Sequence, residues 1–555
     1  MFSDGSMYIL FFASRLLRFL VPLALCLTTY LYLYVVFHAC AFPSKDASRL
    51  SAWSQTFSQH RPFSSTPEPQ FDSLRAPFRL LVLADPQLEG DSSLPSPENA
   101  FLAKLSRQWT RIRTRDDTAI YPLVSEISRQ VLFQDIPDAL QEARKRLDLF
   151  GNDYYLGHIY RTLHWWSQPT HVTVLGDLIG SQWVTDEEFE WRGWRYWNRV
   201  LKNGHRVQNE ITTIVEEDGE IVFDMTDSAW ATRIINIAGN HDIGYAGEVS
   251  ERRMERFERV FGKADWDIRF QYPRAKNDSV DDASQVAPSL HLIVLNSLVL
   301  DGPALSREIQ SKGYDYINTL ISKRLRPVED RSSFTLLLTH LPLYKNEGIC
   351  VDAPHFDYWG DDDGGGVYKP RGVKEQNHLS EHFSRQGTLE ALFGMTGNVD
   401  APARGKGRNG LILNGHDHEG CDTWHFIPEE STYNSMPDQN EQPKTTWEAS
   451  RYTNANISQA HTGVRELTLR SMMGDYGGNA GLLSAWFDFD SGEWRYDIQM
   501  CGLNVKLWWT VHVIDIVCLS LLLFVFLCHC LRSAETAAKP TSQPQKLSRL
   551  DVKGK

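Results

Sequence analysis

Six short apolar runs punctuate this chain, and most of them stop at a residue type that ligates metals. The runs are Phe78–Ala84, His171–Leu175, Arg233–Ala238, Leu290–Leu295, Phe334–Thr339 and Leu411–Leu413. Each is brief and rich in Leu or β-branched residues, the pattern of strands covered on both faces. Helical patterns such as Pro137–Phe150 and Tyr154–Trp166 fall between them. Strands alternating with helices predict a layered α/β fold. Near the end, Leu483–Asp490, Ser491-Gly492 and Glu493–Gln499 predict a β-hairpin with a tight turn. The sequence contains no internal repeat.

The runs end in a consistent chemistry. The first is followed by Asp85-Pro86-Gln87, the second by Gly176-Asp177, and the third by Gly239-Asn240-His241-Asp242. A later run ends at His340, and the last at Asn414-Gly415-His416-Asp417-His418. Ligands of open α/β sheets bind outside the carboxyl ends of strands, so these residues are expected to converge on one crevice. Carboxylate, imidazole and amide oxygen form a mixed N/O donor set suited to Mn²⁺, Fe²⁺ or Zn²⁺. Alone, each signature reads as a turn or a surface residue; the information lies in the ordered combination.

That order resembles the calcineurin-like metallophosphoesterases, whose pattern is D-x-H, G-D-x-x-D, G-N-H-[DE], H and G-H-x-H. The resemblance covers roughly Phe78 to Leu503 and implies a four-layer α/β fold, a β-sandwich flanked by helices. It also implies two divalent metal ions, with Mn²⁺ favoured. One ion takes Asp85, Gln87, Asp177 and His418; the other takes Asp177, Asn240, His340 and His416. His241 matches the histidine that contacts the phosphoryl group or protonates the leaving group. Two departures stand out. Gln87 replaces a histidine, which weakens the first site or biases it toward a harder ion. Gly180 replaces the aspartate that in many members orients the catalytic histidine, a role for which Asp242 is the remaining candidate. A degenerate fold that kept only a binding role is the rival reading.

Both ends of the chain carry long apolar runs. Phe19–Phe42 and Leu507–Leu531 each suffice to cross a hydrocarbon layer of ~30 Å. A cleaved signal peptide is the rival for the first, with Ala39-Cys40-Ala41 as cleavage site, but the run exceeds the usual apolar core of about 7–15 residues. The tail after the second run is basic and reads as cytosolic. The expected organisation is a cytosolic N-terminus (1–18), a span (19–42), a linker (43–77), a lumenal domain (78–506), a span (507–531) and a cytosolic tail (532–555). Insertions are expected at about 88–165 and 344–405. The sequons at Asn277 and Asn456 suit a lumenal domain.

Within the family, Asp-Pro-Gln and two flanking spans resemble the fungal endoplasmic reticulum (ER) branch, which groups with the post-GPI-attachment phosphoesterases. That resemblance implies removal of ethanolamine phosphate from a mannose of the GPI glycan, the second mannose favoured, and support of ER exit. Substrates would be GPI-anchored proteins or GPI glycolipid, with ER cargo receptors as further partners. The alternatives are a lumenal phosphatase for another phosphorylated substrate and a non-catalytic GPI-cargo binder. Nucleic acid is not an expected partner, because a net charge of −13 disfavours phosphate backbones.

Four local features complete the reading. Trp191, Trp194 and Trp197, interleaved with Arg192, Arg195 and Arg199, form either a ligand-binding face or, as favoured here, a stripe packed on the sheet. Asp361–Asp363 reads as a solvated loop within a lid-like insertion. Asp515, inside the second span, is either a functional intramembrane carboxylate or one satisfied locally, with His512 on the same helix face as its candidate partner. Cys350 and Cys421 follow two strands bound for one crevice and are candidates for a disulfide, which leaves Cys501 as an unpaired thiol.

Overall fold

The computed structural model describes residues 4–45, 75–90, 94, 97–114, 120–213, 222–273, 287–324, 326–363, 366–428, 447–452 and 463–537. Asn277 and Asn456 lie outside them.

The longer helices are α1 (Asp4–Phe37), α2 (Phe101–Arg113), α3 (Ile120–Gln130), α4 (Ile136–Ser167), α5 (Asp186–Arg195), α6 (Glu251–Phe261), α7 (Arg307–Ser322) and α8 (Val505–Ala537). The first sheet contains β1 (Phe78–Leu83), β2 (His171–Val174), β3 (His205–Arg206), β5 (Arg233–Asn236), β15 (Asn479–Asp488) and β16 (Glu493–Gly502), in the order β16-β15-β1-β2-β5-β3. The second contains β4 (Val222–Asp224), β6 (Trp266–Gln271), β7 (Ser289–Val294), β8 (Ser333–Leu338), β11 (Gly410–Asn414), β12 (Cys421–Phe426), β13 (Glu448–Arg451) and β14 (Gly463–Thr468). Its order is β13-β12-β14-β11-β8-β7-β6-β4. A separate ribbon pairs β9 (Phe356–Tyr358) with β10 (Val373–Gln376).

One apolar core fills the space between the two sheets. Phe78, Leu80 and Val82 of β1 join Leu290 and Leu292 of β7, Phe334 and Leu336 of β8, and Leu411 and Leu413 of β11. Period-two alternation sends these side chains inward from each sheet. The strands β1, β2 and β5 run parallel, as do β7, β8 and β11. Each group therefore presents its carboxyl ends on one side.

Several sequence expectations are corrected. Pro137–Phe150 and Tyr154–Trp166 are one helix, α4, of 32 residues, entered directly from a π-helical turn at Val131–Asp135. The apolar run Phe19–Phe42 is helical only to Phe37. Beyond it, Cys40 bonds to Cys501 with Cα atoms 5.6 Å apart, and Gln499 Nε2 donates to the Ala39 carbonyl at 3.0 Å. Cys501 is thus not a free thiol: β16 carries it to the chain that leaves α1. Cys350 and Cys421 are also bonded, with a Cα separation of 5.7 Å.

The chain divides into a unit Val35–Val505 and a second made of its two ends. In the second, α1 and α8 are long and apolar enough to cross a membrane. Leu17, Ala24 and Cys518 pack together there, and the Thr28 hydroxyl donates to both oxygens of Asp515 at 3.1 and 2.9 Å. Asp515 therefore takes Thr28 in place of the expected His512, whose Nδ1 lies 2.8 Å from the Trp508 carbonyl.

Candidate metal centre

The chain reaches the site through unusual backbone. Asp85, Gln87, Asp177 and His416 all adopt positive φ, at 50°, 40°, 52° and 73°. For residues with a Cβ this costs on the order of 1 kcal/mol each and persists only where surrounding structure enforces it. Two glycines make room. A Cβ on Gly176 would fall 2.3 Å from His340 Nδ1, and one on Gly239 would fall 2.0 Å from the Asp177 nitrogen.

Two donor groups meet at Asp177. On one side, donor atoms of Asp85, Asp177 and His418 lie within 4.8 Å of one another. The Gln87 amide sits among them, its Nε2 2.9 Å from Asp177 Oδ2 and 3.1 Å from His418 Nε2. A half-turn of that amide puts its carbonyl oxygen in the same place. On the other side, Asn240 Oδ1 lies 3.0 Å from both His340 Nε2 and His416 Nδ1. His340 Nε2 is also 3.4 Å from Asp177 Oδ1. The structure thus brings together all seven residues expected to hold metal.

No protein-family profile matches the chain. Protein TED1 of Saccharomyces cerevisiae is 32% identical over 423 residues, 68% of this chain and 79% of that protein. An uncharacterised Schizosaccharomyces pombe protein is 31% identical over 295 residues, 50% of this chain and 57% of that one. Metallophosphoesterase 1 of Cricetulus griseus is 22% identical over 300 residues, 51% of this chain and 59% of its own length. The chain belongs to the calcineurin-like metallophosphoesterases, and it resembles TED1.

The donor chemistry of this metallophosphoesterase fits divalent cations. His340 Nδ1 lies 2.8 Å from the Leu175 carbonyl, and His416 Nε2 lies 3.0 Å from the Gln376 carbonyl. Each outer nitrogen donates to a backbone oxygen, which leaves the inner lone pair facing the site. Burial lowers the pKa of His340, and with the help of His340 it brings that of His416 to about 3. Both rings are therefore neutral, the form that binds metal. Burial and the neighbouring Asp177 push the Asp85 carboxyl well above its usual range, and its Oδ2 has no hydrogen-bond partner. Buried carboxylates beside neutral imidazoles form a site short of positive charge, which cations would supply.

His241 stands apart from the ligands. Its backbone nitrogen donates to Asp177 Oδ1 at 2.9 Å, while its half-buried ring places Nε2 3.8 Å from Asp177 Oδ2. Asp242 does not serve as its orienting partner. Its two oxygens accept the Ile179 and Gly239 backbone N–H groups at 3.0 and 2.9 Å, so it shapes the turn that carries His241. Gly180 also has a structural reason: a Cβ there would lie 3.3 and 3.4 Å from the Gln87 and Leu88 carbonyl oxygens. An aspartate would crowd the segment that carries Gln87.

Two of the three tryptophans face opposite to the favoured expectation, whereas Trp197 packs inward and its Nε1 donates to the Val260 carbonyl at 3.1 Å. Arg192 and Arg195 point inward and donate to the Leu88 and Glu89 carbonyls at 3.2 and 2.6 Å. Trp191 and Trp194 stack outside at 4.9 Å, half exposed. Guanidinium groups win the interior because their partners lie there: Arg192 pairs with Glu188 at 2.7 Å, and Asp153, buried midway along α4, pairs with Arg195 at 2.7 Å and Arg199 at 2.9 Å.

Sequence reasoning missed Glu466. This buried residue of β14 accepts from Asn414 Nδ2 and the Leu343 nitrogen, each at 2.7 Å, and pairs with Lys345 at 2.9 Å and His425 at 2.7 Å. Burial opposes its ionisation, but Lys345 and His425 hold its carboxyl below the usual range. Glu466 thereby ties together the segments that follow His340 and precede His416. The segment Val464-Arg465-Glu466-Leu467 carries two adjacent charges, and nothing in it singles out Glu466 as the buried one.

Proposed function

We propose that this metallophosphoesterase hydrolyses a phosphodiester at the junction of the two donor groups. The observation that carries the reading is Asp177, whose oxygens face Gln87 on one side and His340 on the other. Asp85, Gln87, Asp177 and His418 would hold one ion; Asp177, Asn240, His340 and His416 would hold the second, with Mn²⁺ favoured over Zn²⁺ or Fe²⁺. Bound cations supply the Lewis acidity that phosphoryl transfer to water requires. His241 is the solvent-facing imidazole beside them, placed to contact a phosphoryl oxygen or deliver a proton to the departing alcohol.

The substrate in this reading is ethanolamine phosphate on a mannose of a GPI glycan, the second mannose favoured. The domain between the spans faces the ER lumen, and the reaction supports ER exit of GPI-anchored proteins. Likeness to TED1 over two thirds of the chain and the two apolar helices support this choice. Mass spectrometry of GPI glycans from cells lacking the protein tests it. Retained ethanolamine phosphate on one mannose is expected; an unchanged glycan profile overturns the substrate while leaving the phosphoesterase reading to be tested with an aryl phosphodiester.

A further inference from the structure

Among the described residues, helix α4 buries one face and leaves a second apolar face uncovered. Ile136, Leu140, Ala143, Leu147, Phe150 and Tyr154 recur at alternating spacings of four and three, and all six are exposed. Leu140, Leu147 and Phe150 expose 67%, 57% and 51% of their surface. This spacing aligns them along one side of a helix over about 27 Å. The opposite side holds the helix in place: Leu149 and Asp153 are buried, Lys145 pairs with Glu89, and Asp135, just before the helix, accepts from Gln108 of α2. The uncovered stripe is therefore not the core side of a helix that has come loose.

The surroundings of α4 identify what covers the stripe. The Tyr155 hydroxyl, one residue past the stripe, donates to the Leu503 carbonyl. The chain enters the apolar helix α8 at Val505, two residues later, which is roughly 7 Å of extended chain. The disulfide from Cys501 to Cys40 fastens the chain leaving α1 to the same strand end. The stripe therefore ends near the segment through which the chain passes into α8. Helix α2, packed against the start of α4 through Gln108 and Asp135, carries Arg107, Arg111 and Arg113 with no acidic residue and exposes Trp109, while its Lys104 pairs with Asp135 and Asp138. Basic side chains with an exposed tryptophan suit phospholipid headgroups.

We propose that the exposed stripe of α4 rests in the headgroup region of the leaflet that α8 enters, with basic α2 packed against the start of the same helix. The insertion between β1 and β2 is then a third membrane contact, in the plane of the bilayer. It holds the domain at a fixed attitude beyond what two spans and a linker impose. A coiled-coil partner or a second copy of this chain would also fit a stripe of this spacing. Continuity with the start of α8 and the basic charge of α2 favour lipid.

The test uses the full chain in phosphatidylcholine/phosphatidylserine vesicles, with Cys26, Cys518, Cys528 and Cys530 changed to Ala and both disulfides kept. An environment-sensitive fluorophore is placed at Leu147→Cys, with Val399→Cys as the exposed control. Lipids spin-labelled near the headgroup should quench Leu147→Cys about two-fold or more above the control, and iodide should quench it less. Iodide quenching equal to the control overturns the proposal. So does shielding from both quenchers, because a protein then covers the stripe. The labelled side chains are exposed, and retained far-UV circular dichroism shows that the fold survives labelling.

Discussion

His340 directs its Nδ1–H onto the carbonyl of Leu175 at 2.8 Å. The bond joins the end of β8 in one sheet to the end of β2 in the other, and it fixes the imidazole with Nε2 inward. The ring is fully buried, so no rotamer change carries it to solvent. His340→Ala should keep the fold, since the sandwich core lies elsewhere, and should reduce phosphodiesterase activity by about 100-fold or more. Wild-type turnover in a purified, folded variant would remove His340 from the ligand set.

Gln87 gives a second prediction. Its amide is a weaker, harder donor than imidazole, and it already touches both Asp177 and His418. Gln87→His should shift metal preference toward Zn²⁺ relative to Mn²⁺, by about ten-fold or more in competition titrations. An unchanged preference would place Gln87 outside the coordination sphere.

Gly176 sits at φ 95°, and an added Cβ would meet the His340 ring at 2.3 Å. Gly176→Ala should cost roughly 2–4 kcal/mol, from backbone strain and overlap together. Chemical denaturation reads this directly; a loss below about 0.5 kcal/mol would mean that the turn can relax away from His340.

These contacts show which parts were legible from sequence. The strand-forming runs and the residues at their ends stood out because both faces of these strands are buried and each candidate ligand lies within four residues of a strand end. The inversion of the tryptophan stripe was hidden. Trp191 and Arg192 are adjacent, and partners distant in sequence decide which face turns inward: the Leu88 carbonyl holds Arg192, and Asp153 holds Arg195. Glu466 was equally silent, since its partners Lys345, Asn414 and His425 come from three separate segments. Asp242 misled for a local reason: its backbone acceptor role depends on a turn that composition does not encode.

Acid should weaken the fold. Burial, aided by Arg79, lowers the His171 pKa to about 3, and burial lowers His291 and His378 to about 4. In the unfolded chain these side chains take a proton near the ordinary value of about 6.5. Below that pH the unfolded state binds more protons, so stability falls as pH drops from about 6.5 toward 3–4. Denaturation of metal-free protein should show a loss of several kcal/mol between about pH 7 and 5, and His171→Phe should flatten the slope. Equal stability at both pH values would contradict the buried, neutral state of these rings.

The central claim is that two cations share Asp177. Metal analysis of purified wild type and Asp177→Asn, alongside turnover of an aryl phosphodiester, tests it most directly. The wild type should carry about two divalent ions per chain, and the variant should lose metal and activity together while circular dichroism stays unchanged. An Asp177→Asn protein that keeps its full metal complement and near-wild-type turnover would contradict the account.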